Sequence, residues 1–406
     1  MSSRQLPRDE IAGVVHSGDD AEHAGQSTRS PREVTIVAHD AGSVGGMERQ
    51  LAELVFGLRG LGYGVTVIAR TCELPPEAGV KFHRVRGPSR PFLIAYPWFL
   101  IAGSLALRRW RHGLVQTTGA IVLNRVDSIA VHCCHQVYRA APSRSGGIHR
   151  FYAGAAGLLA RAGERLCFEI NRSATFVCVS EGVVTEIREH FPRARGQIVA
   201  IHNGVDTTAF APGVRESKAR LLRAELGIPT NRLVVAFVGD GNKGLHRVLE
   251  ALLQAPEWDL LVAGRGHVQR YRELAESLGV SKMVHWLGVV RDIQVVYELA
   301  DAFVLASSYE TFSLVTFEAA ASGLPILATP VNGVRELIQD GENGFLITAD
   351  PRAIAGRLAT LAADPALRIR LGGAARRSAL EFSWEEMVAK HHALYVQLVG
   401  QKRSYS

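Results

Sequence analysis

The chain has 406 residues, 47% hydrophobic and 21% charged, with a formal net charge of +7. That balance excludes a low-complexity or wholly disordered chain and leaves room for two globular domains with sizeable cores. The positive charge favours acidic partners such as phosphates or an anionic membrane face, but no arginine–lysine block, zinc finger or recognition-helix pattern points to nucleic acid. Five cysteines, two adjacent at Cys133 and Cys134, make no disulfide framework and, with no secretory apolar segment at the start, fit a reducing cytosol.

Residues 1–31, charged and ending in Pro31, read as a disordered leader. From Val34 the strand VTIVAHD is followed by a glycine turn, the amphipathic run MERQLAELVFGLRGLG and the strand YGVTVIAR. Residues 91–113, PFLIAYPWFLIAGSLALRRWRHG, form the most apolar stretch. Pro97 interrupts it and its apolar part is barely long enough to span a bilayer, so it reads as a buried helix on the N-terminal sheet. The alternative is an interfacial segment with Trp98, Trp110 and the cluster Arg108, Arg109 and Arg111 at headgroup level. Strands follow at 114–118, 128–134 and 174–180, then the helix EGVVTEIREHF and the strand QIVAIHN. The series restarts at LVVAFVG (233–239) and alternates through HRVLEALLQ, LLVAG, VQRYRELAESLG, MVHWLG, DIQVVYELA, AFVLASS, PILATP, GVRELIQ and FLIT. Strands alternating with helices imply parallel sheets, so the expected fold is α/β: two Rossmann-like doubly wound domains meeting near residue 205.

In such sheets a ligand sits beyond the carboxyl ends of the strands. The stretch SSYETFSLVTFEAAASGLP (307–325) lies there: a strand ends, Glu310 sits in the loop, and a helix begins near Ser313 and stops at Gly323. Its first N–H groups and dipole favour an anion. Glu318 lies too deep for capping, and is either a solvent-facing glutamate or a carboxylate that accepts from paired hydroxyls, as on a ribose. Gly45 and Gly46 let backbone approach a ligand, but they are not a dinucleotide fingerprint and no acidic residue closes the next strand, which disfavours a nicotinamide enzyme. His132-Cys-Cys-His135 has the wrong spacing to close a zinc tetrahedron, so no metal site is expected.

Glu310 and Glu318 form the E-x7-E element of retaining GT-B glycosyltransferases, and the run resembles glycosyltransferase family four (glycosyl transferases group one). AGSVGGMERQLAELVFGLRGLGYGVTVIA, VSEGVVTEI, IHNGVDTTAFAP and VNGVRELIQDGENGFLI resemble that family's motifs in its order, over nearly all the chain after the leader. The resemblance implies a GT-B fold with an acceptor-side domain over 32–205, a nucleotide-sugar domain over 206–382 and a last helix, 383–406, packing back on the first domain. It implies retaining, metal-independent, hexosyltransferase-type transfer from a nucleotide diphosphate sugar such as a UDP-sugar to a glycan or lipid-linked acceptor, without cofactor, in cell-envelope polysaccharide or glycolipid synthesis. The expected place is the cytoplasm, peripheral on the membrane's cytoplasmic face. By the same resemblance Glu318 holds the ribose, Glu310 a sugar hydroxyl, and the loop Thr311, Phe312, Ser313 and Leu314 turns N–H groups to sugar and diphosphate. His132 orients the donor sugar or steadies developing positive charge, with a buried structural histidine as the plain alternative. Lys243 meets the diphosphate, its alternative being a surface lysine, and Gly45 and Gly46 line the cleft.

Two positions depart from the family. Ser313 stands where a glycine is usual, and Asp240 where an arginine is common, expected to turn away or orient Lys243. These departures motivate a competing reading, a non-catalytic GT-B subunit that binds a nucleotide sugar or a partner protein. A nucleotide-sugar epimerase on the same fold is disfavoured by the E-x7-E run.

Overall fold

The computed structural model describes residues 32–42, 45–138, 147–266 and 268–404; the expected leader over 1–31 lies outside them. The first lobe runs β1 (Glu33–Val37), β2 (Asp40–Ala41), α1 (Gly46–Gly60), β3 (Gly64–Ala69), β4 (Thr71–Cys72), β5 (Lys81–Arg84), α2 (Phe92–Trp110), β6 (Leu114–Thr118), β7 (Ser128–Val131), α3 (Gly147–Ile170), β8 (Thr175–Cys178), α4 (Glu181–His190) and β9 (Ile198–Ala200). The second runs α5 (Glu216–Glu225), β10 (Leu233–Val238), α6 (Leu245–Ala251), β11 (Trp258–Ala263), α7 (Val268–Ser277), β12 (Val284–Gly288), α8 (Gln294–Leu299), β13 (Ala302–Leu305), α9 (Leu314–Ala321), β14 (Ile326–Ala328), α10 (Val334–Leu337), β15 (Gly344–Leu346), α11 (Pro351–Ala363) and α12 (Pro365–Ala379). Helix α13 (Trp384–Ser404) follows.

Strands pair in the order β5-β3-β1-β6-β7-β8-β9 in one sheet and β12-β11-β10-β13-β14-β15 in the other, all parallel. Each sheet begins in the middle and winds outward both ways, so a topological switch point lies between β1 and β6 and a second between β10 and β13. Both faces of each sheet are covered, which is why the strands read as continuous β-branched runs rather than alternating ones. In β1, Val34 and Ile36 pack into one core with Leu54 and Leu58 of α1, while Val37 packs into another with Phe99 and Leu107 of α2.

Helix α13 lies on the first sheet beside α1. Tyr395 donates through its hydroxyl to Gln116 Oε1 of β6 at 2.9 Å, and Tyr63 O–H and His392 Nδ1 are 2.8 Å apart. Gly57 of α1 meets Val388 of α13 so closely that a Cβ there would lie 2.3 Å from a Val388 methyl.

Two features differ from the sequence pattern. Strand β7 stops at Val131, because the chain turns at once: Val137 and Tyr138 both donate their N–H groups to Cys134 O. Helix α2 is both a core helix and an exposed one. Ala95, Phe99 and Leu107 are buried, while Ile94, Trp98, Ile101 and Leu105 are 51% to 61% exposed. Among the described residues no helix is long and apolar enough to cross a membrane.

Candidate active-site cleft

The loops at both switch points carry the chemistry. After β10 the chain makes a short 3-10 turn, Gly241–Lys243, whose start is capped by Asp240 accepting from Asn242 N–H at 2.8 Å. Gly244 then adopts φ 94°, and a Cβ there would lie 2.1 Å from Ala306 O, just past β13. Only glycine allows that approach, and the approach sets Lys243 against the β13 loop. Lys243 Nζ donates to Glu310 Oε2 at 3.0 Å, so the lysine is not a plain surface side chain. Glu310 is 9% exposed, and its second oxygen, Oε1, is buried with no partner among the described residues. Asp240 faces its own turn, as a cap beneath Lys243.

Glu318 is 7% exposed, which removes the solvent-facing reading. Its Oε1 accepts from Arg49 Nη1 at 2.9 Å and its Oε2 from the Tyr297 hydroxyl at 3.1 Å. Burial raises the Glu318 pKa, and Arg49 and the Tyr297 hydrogen bond pull it back. Arg49 belongs to α1 and is held over the rings of Trp384 and Phe210, at 5.7 and 5.9 Å. The ion pair therefore joins the first lobe to the second, and the N-termini of α1 and α9 face each other: a Cβ on Gly46 would lie 3.4 Å from Leu314 Cδ1. Gly45, at φ 115°, is the N-cap of α1.

Ser313 caps α9 at φ 64°, among the described residues the one non-glycine in the left-handed region. A glycine would take that conformation freely, whereas a side chain costs roughly 1–2 kcal/mol. The serine hydroxyl is paired with Thr316 Oγ1 at 2.8 Å. Phe312 buries its ring against Phe317, with centroids 4.1 Å apart, so Phe312 offers a ligand only backbone; Thr311 is half-buried.

His132 is sealed. It is 9% exposed, its Nε2 is buried without a partner among the described residues, and burial together with His391 of α13 lowers its pKa to about 4. This neutral, enclosed imidazole matches the structural-histidine alternative rather than a side chain open to the cleft. The neighbouring His135 is exposed, on a turn whose Tyr138 ring lies 5.7 Å from Tyr309 of the second lobe. Glu164 of α3 holds that turn, accepting from His135 N–H at 3.0 Å and from Gln136 Nε2 at 3.2 Å. Further ties cross the lobes. Tyr309 and Asn332 donate to Glu186 at 3.1 and 2.7 Å, and Glu336 takes Glu181 N–H at 3.0 Å and the His202 ring.

Beyond the ends of β10, β11 and β12 lies a cavity of about 330 Å³ between Gly239, Gly264, Arg265, Tyr271 and Trp286. Its floor is backbone, because a Cβ on Gly264 would lie 2.2 Å from Gly239 O. Neither this cavity nor Arg49 and Tyr297 follows from the motif reading. The strand-end glycines Gly239, Gly264 and Gly266 were the available signal for the cavity, whereas no local pattern marks Arg49 or Tyr297.

Family models match both halves of the chain: Glycosyltransferase Family 4 over residues 44–209 and Glycosyl transferases group 1 over residues 219–378. The chain belongs to the group 1 glycosyltransferases of family 4. A D-inositol 3-phosphate glycosyltransferase of Corynebacterium efficiens is 34% identical over 228 residues, covering 52% of this chain and 54% of that protein. Matches to the curated relatives span between about half and three fifths of their length. Among solved structures, WaaG, a glycosyltransferase involved in lipopolysaccharide biosynthesis, superposes with a TM-score of 0.74 at 20% identity over 89% of this chain and 99% of that one. Anabaena Alr3699/HepE in complex with UDP-glucose gives 0.67 at 19% identity, over 92% and 100%. The shared fold is GT-B.

Glu164 carries a pH prediction. Burial raises its pKa from 4.5 to about 7, against the hydrogen bonds from His135 and Gln136, so the folded state holds that proton more tightly than the unfolded one. The stability this adds is complete below pH 4.5 and is lost as the pH rises through about 7. Denaturant midpoints across that window are therefore expected to fall in the wild type relative to Glu164→Gln. Parallel curves would show that the carboxyl is not perturbed.

Proposed function

We propose that this family 4 protein is a retaining, metal-independent glycosyltransferase that moves a sugar from a nucleotide diphosphate sugar to a glycan or lipid-linked acceptor. One observation carries the reading: beyond the end of β13, Lys243 reaches Glu310, and Glu310 Oε1 is left as a buried acceptor with no partner among the described residues. A buried carboxylate oxygen in that state is costly unless a ligand donor fills it. A sugar hydroxyl is such a donor.

In this account the nucleobase enters the cavity beside Gly239, Gly264 and Trp286. The ribose hydroxyls donate to Glu318, whose oxygens each keep a second lone pair after Arg49 and Tyr297 are served. The diphosphate meets Lys243 and the N–H groups at the start of α9, with Gly45 and Gly46 giving it backbone clearance. As the sugar–phosphate bond breaks, charge grows on the leaving diphosphate, and Lys243 and the helix dipole are already aimed there. No side chain serves as a covalent nucleophile. The UDP-glucose bound by the Anabaena protein supports a UDP-sugar donor, and the relatives' names support small glycoside or cell-envelope products. On this reading the acceptor belongs to the first lobe, on the other side of the division near residue 205. Asp240 as a cap and Ser313 fitted at its strained φ weaken the case for a non-catalytic subunit.

The reading extends to a cytoplasmic, peripheral location. Helix α2 exposes an apolar row on one face, and Arg108, Arg109 and Arg111 stand at its end. Each cation near an anionic surface contributes about 1 kcal/mol.

Hydrolysis of a panel of nucleotide sugars by the purified protein tests the enzymatic claim. Glu310→Ala is expected to leave affinity for the bare nucleoside diphosphate nearly intact while turnover falls by about a hundredfold. Equal loss of nucleotide affinity would contradict the assignment of Glu310 to the sugar. For the membrane claim, the protein should co-sediment with anionic liposomes at low salt, and the triple change Arg108→Gln, Arg109→Gln, Arg111→Gln should release it. Indifference of the wild type to anionic lipid would leave α2 as core alone.

A further inference from the structure

The loop that carries Glu310 is held partly from its own lobe and partly from across the cleft. On its own side, Thr329 Oγ1 donates to Ser307 O at 2.6 Å, and Ser307 Oγ donates to Tyr309 O at 3.1 Å. Beyond that point two neighbours flank the loop, and both turn to Glu186 of α4. Tyr309, one residue before Glu310, donates its hydroxyl to Glu186 Oε2 at 3.1 Å. Asn332 donates its side-chain N–H to Glu186 Oε1 at 2.7 Å. The next residue, Gly333, has φ 77°, and a Cβ there would lie 2.2 Å from Phe312 O. One carboxylate of the first lobe thus fixes the two segments that bracket Glu310, Thr311 and Phe312.

The position suits a carboxylate. Tyr309 O–H and Asn332 N–H both arrive as donors from different segments, and an acceptor-only group takes both without presenting a donor of its own. Burial raises the Glu186 pKa, and the hydrogen bonds from Asn332 and Tyr309 pull it back, so these two donors favour its charged form. Helix α4 is brought to the spot by close backbone packing. A Cβ on Gly182 would lie 2.1 Å from Asn332 Oδ1, and Glu181 N–H donates to Glu336 Oε2 at 3.0 Å. The Tyr138 ring, 5.7 Å from that of Tyr309, adds a further first-lobe contact.

We propose that Glu186 is a positioning residue for the donor sugar: reaching in from the opposite lobe, it sets the Glu310 loop through Tyr309 on one side and Asn332–Gly333 on the other. The proposal rests on the glycosyl-transfer reading, in which Glu310 takes a sugar hydroxyl, and adds the group that places Glu310. Such a grip has to be held to within about half an ångström. The loop does not hold its shape unaided, since Ser313 at φ 64° keeps a strained conformation only where its surroundings enforce it. Parting the lobes breaks both Glu186 hydrogen bonds at once, so the sugar site is complete only where the lobes meet.

The test is a donor–acceptor exchange. Glu186→Gln sets an N–H group against one of the two donors and loosens the loop. Adding Asn332→Asp reverses that pair: the amide N–H then donates to the new carboxylate while the amide oxygen still accepts from Tyr309. Hydrogen exchange in the ligand-free protein reads the loop without any substrate. Residues 308–318 and 331–338 should exchange about tenfold faster in Glu186→Gln, with β13 and β14 unchanged, and should return to the wild-type rate in the double variant. With the nucleotide sugar that the wild type hydrolyses fastest, kcat should fall about tenfold and recover in the same order, while affinity for its bare nucleoside diphosphate stays within about twofold. Tyr309→Phe removes one of the two hydrogen bonds without touching α4, and keeps the test readable if Glu186→Gln misfolds. Loop exchange that ignores these changes, or a loss that the double variant does not recover, overturns the proposal. So does an equal fall in kcat and in nucleoside diphosphate affinity, which would make Glu186 a tie between the lobes and nothing more. A wild type that hydrolyses no nucleotide sugar overturns the glycosyl-transfer reading instead, and the exchange rates still decide what places the loop.

Discussion

A carboxylate buried as deeply as Glu318 must be paired, because a lone charge out of water costs several kcal/mol. One partner, Tyr297, comes from its own lobe, and the other, Arg49, comes from the lobe opposite. That requirement sets the N-termini of α1 and α9 against each other and brings Gly46 against Leu314. The two sheets, each wound from its own switch point, thereby present their loops to one cleft. The ties of Glu186 to Tyr309 and Asn332, and of Glu336 to Glu181 and His202, hold the same closure further along. On the proposed reading a ribose joins a carboxylate that already bridges the lobes, so nucleotide binding and lobe contact draw on the same group.

The lobes divide the chemistry between them. On the proposed reading the second offers carboxylates, Glu310 and Glu318, to hydroxyl groups, with Lys243 beside Glu310 for a diphosphate. The first supplies Arg49 to Glu318 and Glu186 to the loop of Glu310. Its apolar helix α2 serves both sides of the lobe, with Phe99 and Leu107 in the core and Trp98 and Ile101 at the surface.

Much of this was legible in the sequence, for identifiable reasons. The β-branched runs alternating with helical patterns gave two parallel sheets, because covered parallel strands have no polar face to disguise them. Glu310 and the Lys243–Gly244 pair drew notice because they lie just beyond β13 and β10, whereas Glu318, inside α9, was singled out through the family resemblance. Arg49 and Tyr297 could not, since their partner is 269 and 21 residues away, and no local pattern records that distance. The surroundings of His132 were hidden for a similar reason: they include His391, on a helix from the far end of the chain. Helix α3 was legible and overlooked, since its amphipathic periodicity is as strong as that of α4. Helices α11 and α12 were legible and overlooked too, as each begins with an aspartate cap followed by proline at Asp350–Pro351 and Asp364–Pro365. Ser313 shows the other limit, since its left-handed backbone appears only once the loop is folded.

The central claim is that Glu318 receives the nucleotide. Calorimetric titration of a bare nucleoside diphosphate into the wild type and Glu318→Ala measures it directly. Loss of a buried charged acceptor is predicted to weaken binding by roughly 1.5–3 kcal/mol, a tenfold change or more. Equal affinities for the two proteins would contradict the account and leave Glu318 as a structural bridge between the lobes.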